Sequence, residues 1–214
     1  KPVSKEPQLV KPGEQKQPPT HEQYLDQAMK NLTQTSRTAS GVVDTSASKG
    51  KADKMVEGLT GDQAKQHALN NFRDVVSAIY KQKDTLPKTG DGLAEVADRI
   101  AGAVNKGILK EGSLYRTDDS DKFPYTAAAD LPLARKQFGE ELAKRLNDPK
   151  ADPVETAAWI EWRTNLTDHF WADGVGKTSK ALAAIPLMRA GLPLPQYKDN
   201  KEFFKYGALE KHDP

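Results

Sequence analysis

Apolar residues recur at helical spacing over most of the chain. Leu69, Phe72, Val75, Val76, Ile79 and Tyr80 fall on one face of a helix that Thr60 or Asp62 caps and Pro87 closes. Leu93, Val96, Ile100, Val104 and Ile108 repeat the design in a second helix. A third is predicted over Leu131–Leu146, with Asp130 as cap, Phe138, Leu142 and Leu146 turned inward, and Asn147-Asp148-Pro149 as its stop. The fourth starts most clearly: Asp152 caps it, Pro153 occupies its first position and Glu155 stands three residues after the cap. Ala158, Trp162, Asn165 or Leu166, and His169 share its expected inner face. A further helix over Lys177–Ala190 carries Leu182, Ile185, Leu187 and Met188, with a kink expected at Pro186 and an end at Gly191 and Pro193. Trp159, Trp162 and Trp171 read as core anchors.

Between the second and third helices the texture changes. Ser113-Leu114-Tyr115-Arg116 and Phe123-Pro124-Tyr125-Thr126 flank the polar run Thr117–Lys122, which predicts a β-hairpin with Pro124 on an edge strand. The class is therefore all-α with one hairpin. Residues 1–59 read differently: five of the fourteen prolines lie in the first twenty positions, and Thr33–Gly50 is rich in Ser, Thr and Gly. That region is expected to be mostly extended or disordered, with a short helix near 22–32, and the helical domain to cover 60–214. A last amphipathic piece near Asp199–Tyr206 offers Phe203, Phe204 and Tyr206 for packing.

Composition narrows the function classes. Hydrophobic residues make up only 36% of the chain, and that deficit belongs mainly to residues 1–59. The net charge of +2 sits in the first twenty residues, and the remainder balances at 28 basic against 28 acidic side chains. A domain that neutral lacks the basic face of a nucleic-acid binder. Apolar stretches fall short of the roughly 20 residues a membrane helix needs. The absence of cysteine removes disulfides, thiolate metal sites and thiol nucleophiles. A tail with a compact cysteine-free domain suits an exported bacterial effector as well as a protein of the bacterial cytoplasm.

The chemistry concentrates in residues 169–180, His-Phe-Trp-Ala-Asp-Gly-Val-Gly-Lys-Thr-Ser-Lys. Gly176-Lys177-Thr178 imitates the end of a P-loop, but Trp171 stands where the first glycine belongs and helical spacing precedes it, not a strand. A loop with two glycines entering a helix still exposes backbone N–H groups at the positive end of the dipole. Lys177 and Lys180 in the first turn oppose that dipole unless an anion answers them. Asp173 suits a divalent cation and His169 a general base.

In this order the residues resemble the Fic/Doc family signature H-x-F-x-[DE]-G-N-G-R-x-x-R. His169, Asp173, Gly174 and Gly176 match it; Trp171 takes the Phe position, Val175 the Asn position, and Lys177 and Lys180 the two Arg positions. Ser113–Arg116 is similar to the family's segment leading into its flap, the hairpin above the active site. Asp152–Ala158 is similar to the start of the helix before the motif. The resemblance spans roughly residues 60–206. It implies transfer of AMP from ATP to a Ser, Thr or Tyr hydroxyl of a target protein. His169 would act as base and Asp173 would hold Mg²⁺. Gly174, Val175 and Gly176 would form the anion hole, with Lys177 and Lys180 neutralising phosphates. The flap residues Phe123, Pro124, Tyr125 and Thr126 would hold the target chain by edge pairing. The lysines give point charge without the arginine fork, and the alternatives are a Fic-fold kinase, transfer of another phosphate-containing group, or a decayed effector that acts by binding. The family's inhibitory motif [ST]-x-x-x-E-[GN] is not matched, because Asp53 and Gly107 stand four residues before Glu57 and Glu111. A separate antitoxin remains as an inhibitory partner.

Overall fold

The computed structural model describes residues 17–35 and 51–197. The proline-rich tail up to residue 16, most of the Ser/Thr/Gly stretch and the Asp199–Tyr206 piece lie outside the described residues. The fold is all-α, in the order α1 (His21–Thr35), α2 (Lys51–Lys54), α3 (Gly61–Gln82), α4 (Gly90–Val104), α5 (Leu131–Asn147), α6 (Pro153–Glu161) and α7 (Val175–Arg189).

The caps explain where the helices begin. Thr60 takes the Gln63 N–H and receives the Gln63 side chain on its own N–H, a reciprocal capping box for α3. Thr89 caps α4 through the Gly92 N–H, and Asp152 caps α6 through the N–H groups of Val154 and Glu155. Asp130 makes no side-chain cap for α5; it ends a short 3-10 turn, and Pro132 stands at the helix start. Helix α4 stops at Asn105, so Ile108 is fully buried from the following turn.

Helix α7 is the centre of the molecule. Residues 181 through 188 are all buried, including Leu182, Ile185, Leu187 and Met188, and Pro186 lies within the helix. It ends in a Schellman motif, with Gly191 at φ +68 and the Leu192 N–H bonded to the Leu187 carbonyl. Helices α3, α4 and α6 pack on it, and α5 packs on α4. Helix α1, longer than the 22–32 expected, puts Tyr24, Leu25, Ala28 and Leu32 into the same core.

Two expectations need correction. The first is the inner face of α6. Trp162 is 42% exposed and Ala158 is exposed, while Ala157, Ile160, Thr164 and Asp168 are buried. The buried face of α6 is set one residue earlier than expected, at Ala157 and Ile160, and a π-helical run, Trp162–Asp168, then continues the helix with wider turns. Trp171 is the fully buried anchor, and Trp159 stacks on Phe138 at 5.5 Å. The second is the hairpin, since the arms 113–116 and 123–126 do not pair with each other. The Arg116 N–H bonds the Phe170 carbonyl, the Ala172 N–H bonds the Leu114 carbonyl, and the Thr126 N–H bonds the Thr167 carbonyl. Both arms spend their backbone groups on residues 167–172, leaving the single antiparallel bridge Tyr115–Trp171. Pro124, with no N–H to give, sits in a turn closed by Tyr125 N–H on the Phe123 carbonyl.

Helices α4 and α5 cross where both carry glycine. A Cβ on Gly139 would lie 2.3 Å from the Gly90 carbonyl oxygen, whereas one on Gly102 would meet nothing within 4 Å. Crowding therefore outweighs helix propensity at the first position and not at the second. Gly139→Ala is expected to cost about 1–3 kcal/mol in urea unfolding, and Gly102→Ala to add up to about 1 kcal/mol. Equal effects of one sign would refute the close-approach reading.

Candidate active site

The site is built where the π run meets α7. Burying a helix end leaves its last carbonyls in need of donors. Arg116, only 6% exposed, supplies them. Its Nε donates to the His169 carbonyl at 2.7 Å, one terminal nitrogen to the Asp118 carbonyl at 3.1 Å, and the other to the Asp168 carbonyl at 2.9 Å and the Thr126 carbonyl. Asp168, also buried, accepts the Thr126 hydroxyl at 2.7 Å and Arg163 Nε at 2.5 Å. Four carbonyls and two loops are thereby closed around one guanidinium. Burial lowers the Arg116 pKa, with Asp119 and Asp168 opposing.

His169 follows in the left-handed region at φ +48, the one non-glycine residue at positive φ among the described residues. Its Nδ1 lies 3.0 Å from the Asn165 carbonyl oxygen. A carbonyl only accepts, so Nδ1 carries the proton and Nε2 keeps the basic lone pair. The ring stacks on Tyr125 at 4.2 Å with an interplanar angle of 7°. Burial pushes its pKa down to about 4, with Arg116 and Lys51 reinforcing and the Asn165 contact and Asp173 opposing. The imidazole is neutral at pH 7.

The glycine loop is set from behind by Asn105. Its amide nitrogen donates to the Ala101 and Asp173 carbonyls, both at 2.9 Å. Gly174 occupies the left-handed region at φ +66, and a Cβ there would come within 2.6 Å of Asn105 Oδ1, so only glycine fits. A Cβ on Gly176 would meet nothing within 4 Å, and the first turn of α7 begins beside that open space. Val175 is buried in the core. Thr178 folds its hydroxyl back to the Gly174 carbonyl at 2.8 Å. Ser179 sits 2.7 Å from the Thr164 hydroxyl, tying the π run to α7.

Asp173 has a partner that the sequence did not suggest. Lys51 Nζ lies 2.9 Å from its Oδ1, with the two side chains 8% and 13% exposed. Burial alone would raise the Asp173 pKa, but Lys51 and Lys177 more than reverse this and hold it below the usual carboxylate range. Burial lowers the pKa of Lys177, with Asp173 opposing. The carboxylate that the family resemblance gives to Mg²⁺ therefore already carries an ammonium, with a second lysine beside it. No group of three or more His, Asp or Glu side chains suited to a metal occurs among the described residues. The Asp173 carboxylate is thus paired inside the chain rather than left bare.

The structure thus gathers His169, Asp173, Gly174, Val175, Gly176 and Lys177, and adds Lys51, Arg116 and Tyr125. Lys180 stands elsewhere. It lines a mostly apolar cavity of about 340 Å³ with Phe72, Val76, Ala157 and Leu187, a cavity that His169 and Asp173 do not line. Burial lowers its pKa, with Glu161 opposing. In the flap, Phe123 is 42% exposed and stacks on Tyr125. Every backbone N–H of 123–126 is donated inside the chain: Phe123 to Ser120 Oγ, Tyr125 to the Phe123 carbonyl, and Thr126 to the Thr167 carbonyl. Edge pairing with another chain requires these bonds to open. Arg116 stood in a segment quoted for its resemblance, but nothing in its spacing announced four carbonyl partners. Lys51 carried no signal, being one lysine in a low-complexity stretch.

The site thus sits in an all-α fold, where a glycine loop leads into a buried helix and a histidine ends the helix before it. The chain is similar in structure to a Fic domain-containing signaling protein from Bacteroides thetaiotaomicron, with a TM-score of 0.63 and 13% identity over 91% of this chain and 76% of that one. At that identity the likeness is one of fold, and the chain has a Fic-like all-α fold. No protein-family model and no curated protein matches the sequence.

Two outcomes follow from this geometry. Arg116→Met removes all the donors from the four carbonyls and is expected to cost about 3 kcal/mol or more in urea unfolding. Arg116→Lys should recover only part, because an ammonium cannot reproduce the fork. A loss below about 1 kcal/mol for the Met variant would contradict the closure role. The second outcome concerns pH. The folded pKa of His169 lies near 4, below the ordinary value of 6.5, so the unfolded chain binds the proton first. Its contribution is fully present above pH 6.5 and is lost as pH falls toward 4, up to about 3 kcal/mol. Unfolding of wild type and His169→Asn across that window should show the steeper slope in the wild type, the remainder belonging to carboxylates such as Asp173 whose folded pKa is also lowered.

Proposed function

We propose that the chain transfers a phosphate-containing group, most simply AMP from ATP, to a Ser, Thr or Tyr hydroxyl of a target protein. The observation that carries this reading is the state of His169: a neutral imidazole whose Nδ1 is committed to the Asn165 carbonyl, leaving Nε2 basic beside the N-terminus of α7. The Fic-like fold supports transferase chemistry in general, and AMP transfer is the specific form proposed.

Each element has a role that its chemistry supports. The target hydroxyl oxygen attacks the α-phosphorus, its proton passes to His169 Nε2, the bond to the bridging oxygen breaks, and pyrophosphate leaves. The N–H groups at the start of α7 hold the phosphate oxygens, and the dipole and Lys177 favour their charge. The open space beside Gly176 admits a phosphate where a side chain would intrude. Tyr125, stacked on the imidazole, holds the ring in plane and offers an aromatic surface with Phe123 to the incoming chain. No covalent intermediate is needed, so catalysis rests on positioning and charge.

A base with a pKa near 4 is weak, but the cause of the depression is instructive. Burial leads it, and the positive charges of Arg116 and Lys51 add to it. Phosphates bound at the loop would offset those charges and raise the basicity when the substrate is present.

Incubating the chain with a cell lysate and a panel of nucleoside triphosphates, followed by intact-protein and peptide mass spectrometry, tests the reading. A hydroxyl side chain should gain the mass of one nucleotide, at least about 10²-fold more slowly with His169→Ala. The acid limb of kcat should lie above that of kcat/KM, as substrate phosphates raise the His169 pKa. Equal labelling by wild type and His169→Ala sinks the proposal, and addition of a bare phosphoryl group would replace it with a kinase.

A further inference from the structure

We propose that Lys51 is the resident cation of the site, standing where a divalent metal would otherwise neutralise Asp173 and facing the phosphates of the co-substrate in the metal's place. This rests on the reading of the site as a phosphate-transfer centre.

Most Lys–Asp pairs are surface contacts of little worth. This one differs in three respects. Both side chains are nearly enclosed, at 8% and 13% exposure, and their contact is a direct 2.9 Å. The segment bearing Lys51 is also anchored: the Val56 N–H bonds the Ile108 carbonyl at 3.0 Å, and the Lys110 N–H bonds the Lys54 carbonyl at 2.8 Å. Met55 and Ile108 bury themselves with Ala68 in a satellite core packed by Leu59 and Leu109. The lysine is therefore carried on a backbone tied to the turn that ends α4, the same turn whose Asn105 sets the glycine loop. Lastly, the charge of Lys51 is felt by both His169 and Lys177, so it lies among the groups that would handle the phosphates.

Charge decides what else the site accepts. Asp173 carries one negative charge against the ammonium groups of Lys51 and Lys177. A divalent cation added beside them meets charge repulsion from each ammonium, little screened at this depth of burial. Magnesium is also held by one or two carboxylates plus phosphates, and the one carboxylate here is already paired. An anion meets the opposite situation. The ammonium has three donors and Asp173 engages it at one contact. Lys51, Lys177 and the first N–H groups of α7 then form a cluster with surplus positive charge, which a polyphosphate completes.

The test uses the full chain with two probes. Mn²⁺ alone, titrated by electron paramagnetic resonance, should bind wild type at least ten-fold more weakly than Lys51→Gln, which frees the carboxylate. ATP, titrated calorimetrically in EDTA and in Mg²⁺, should bind wild type within about three-fold in the two buffers. Lys51→Gln should lose at least ten-fold in EDTA and recover in Mg²⁺, and Lys51→Arg, which keeps the charge, should behave as wild type. Equal Mn²⁺ affinity for wild type and Lys51→Gln overturns the proposal, as does wild-type ATP binding that collapses in EDTA. If Lys51→Gln fails to fold, Lys51→Met and Lys51→Arg carry the comparison, and strong Mn²⁺ binding by the wild type alone is enough to overturn it. Absence of ATP binding in every arm sinks the transfer reading, while the Mn²⁺ titration still decides the role of Lys51.

Discussion

The geometry of the site depends on how one buried helix end satisfies its carbonyls. A π run that ends at Asp168 and turns left-handed at His169 leaves polar backbone inside the protein, where an unmade hydrogen bond is costly. Glycine would end such a helix cheaply, but the position is a histidine, so positive φ has to be held by its surroundings. Arg116 does this from the other side of the site. Its fork reaches the carbonyls of Asp168 and His169 together with those of Asp118 and Thr126. Residues 116–126 and His169 are consequently one structural unit: whatever moves that segment also moves the backbone of His169.

Much of this was legible in the sequence, and the reasons are local. Capping chemistry at Thr60 and Asp152 acts within three residues of itself, and the apolar repeats of α3 and α4 report one face of a regular helix. The motif residues His169 to Lys177 lie close together in sequence and stay together in space. The π run was hidden because the 3.6-residue count that identifies a helix fails where the helix widens, and the face of α6 was misplaced by one residue from Ala158 onward. The flap was misread as a hairpin because its two arms have strand-like composition, while their hydrogen bonds go to residues more than 40 positions away. Lys51 and Arg116 were invisible as site residues for the same reason. A single cation brought in from a distant segment leaves no periodicity behind.

Burial acts on every titratable group here, but the outcome depends on partners. His169 has a carbonyl on one nitrogen and cations nearby, so it stays neutral and is available to accept a proton. Asp173, equally enclosed, stays charged because two lysines oppose the cost of its burial. Lys177 sits 4% exposed, its pKa lowered by burial with that same carboxylate opposing. Two groups of opposite tendency thus stand four residues apart, one poised to take a proton and one fixed as an anion. This separation is what a proton-abstracting site beside a phosphate cradle requires.

The lysines at 177 and 180 and the pairing of Lys51 with Asp173 belong to one electrostatic account. An arginine at position 177 would grip phosphate through a planar fork and supply geometry as well as charge. A lysine supplies charge alone, and Lys180 lines a mostly apolar cavity that His169 and Asp173 do not line, with Glu161 acting on its charge. The loop would then be left with one ammonium and a helix dipole against an aspartate, a poor match for a triphosphate. Lys51 holds the aspartate from outside this segment. In the role proposed for it, Lys51 restores the missing positive charge at the same time, and the charge of the site is carried by an ammonium that belongs to the chain.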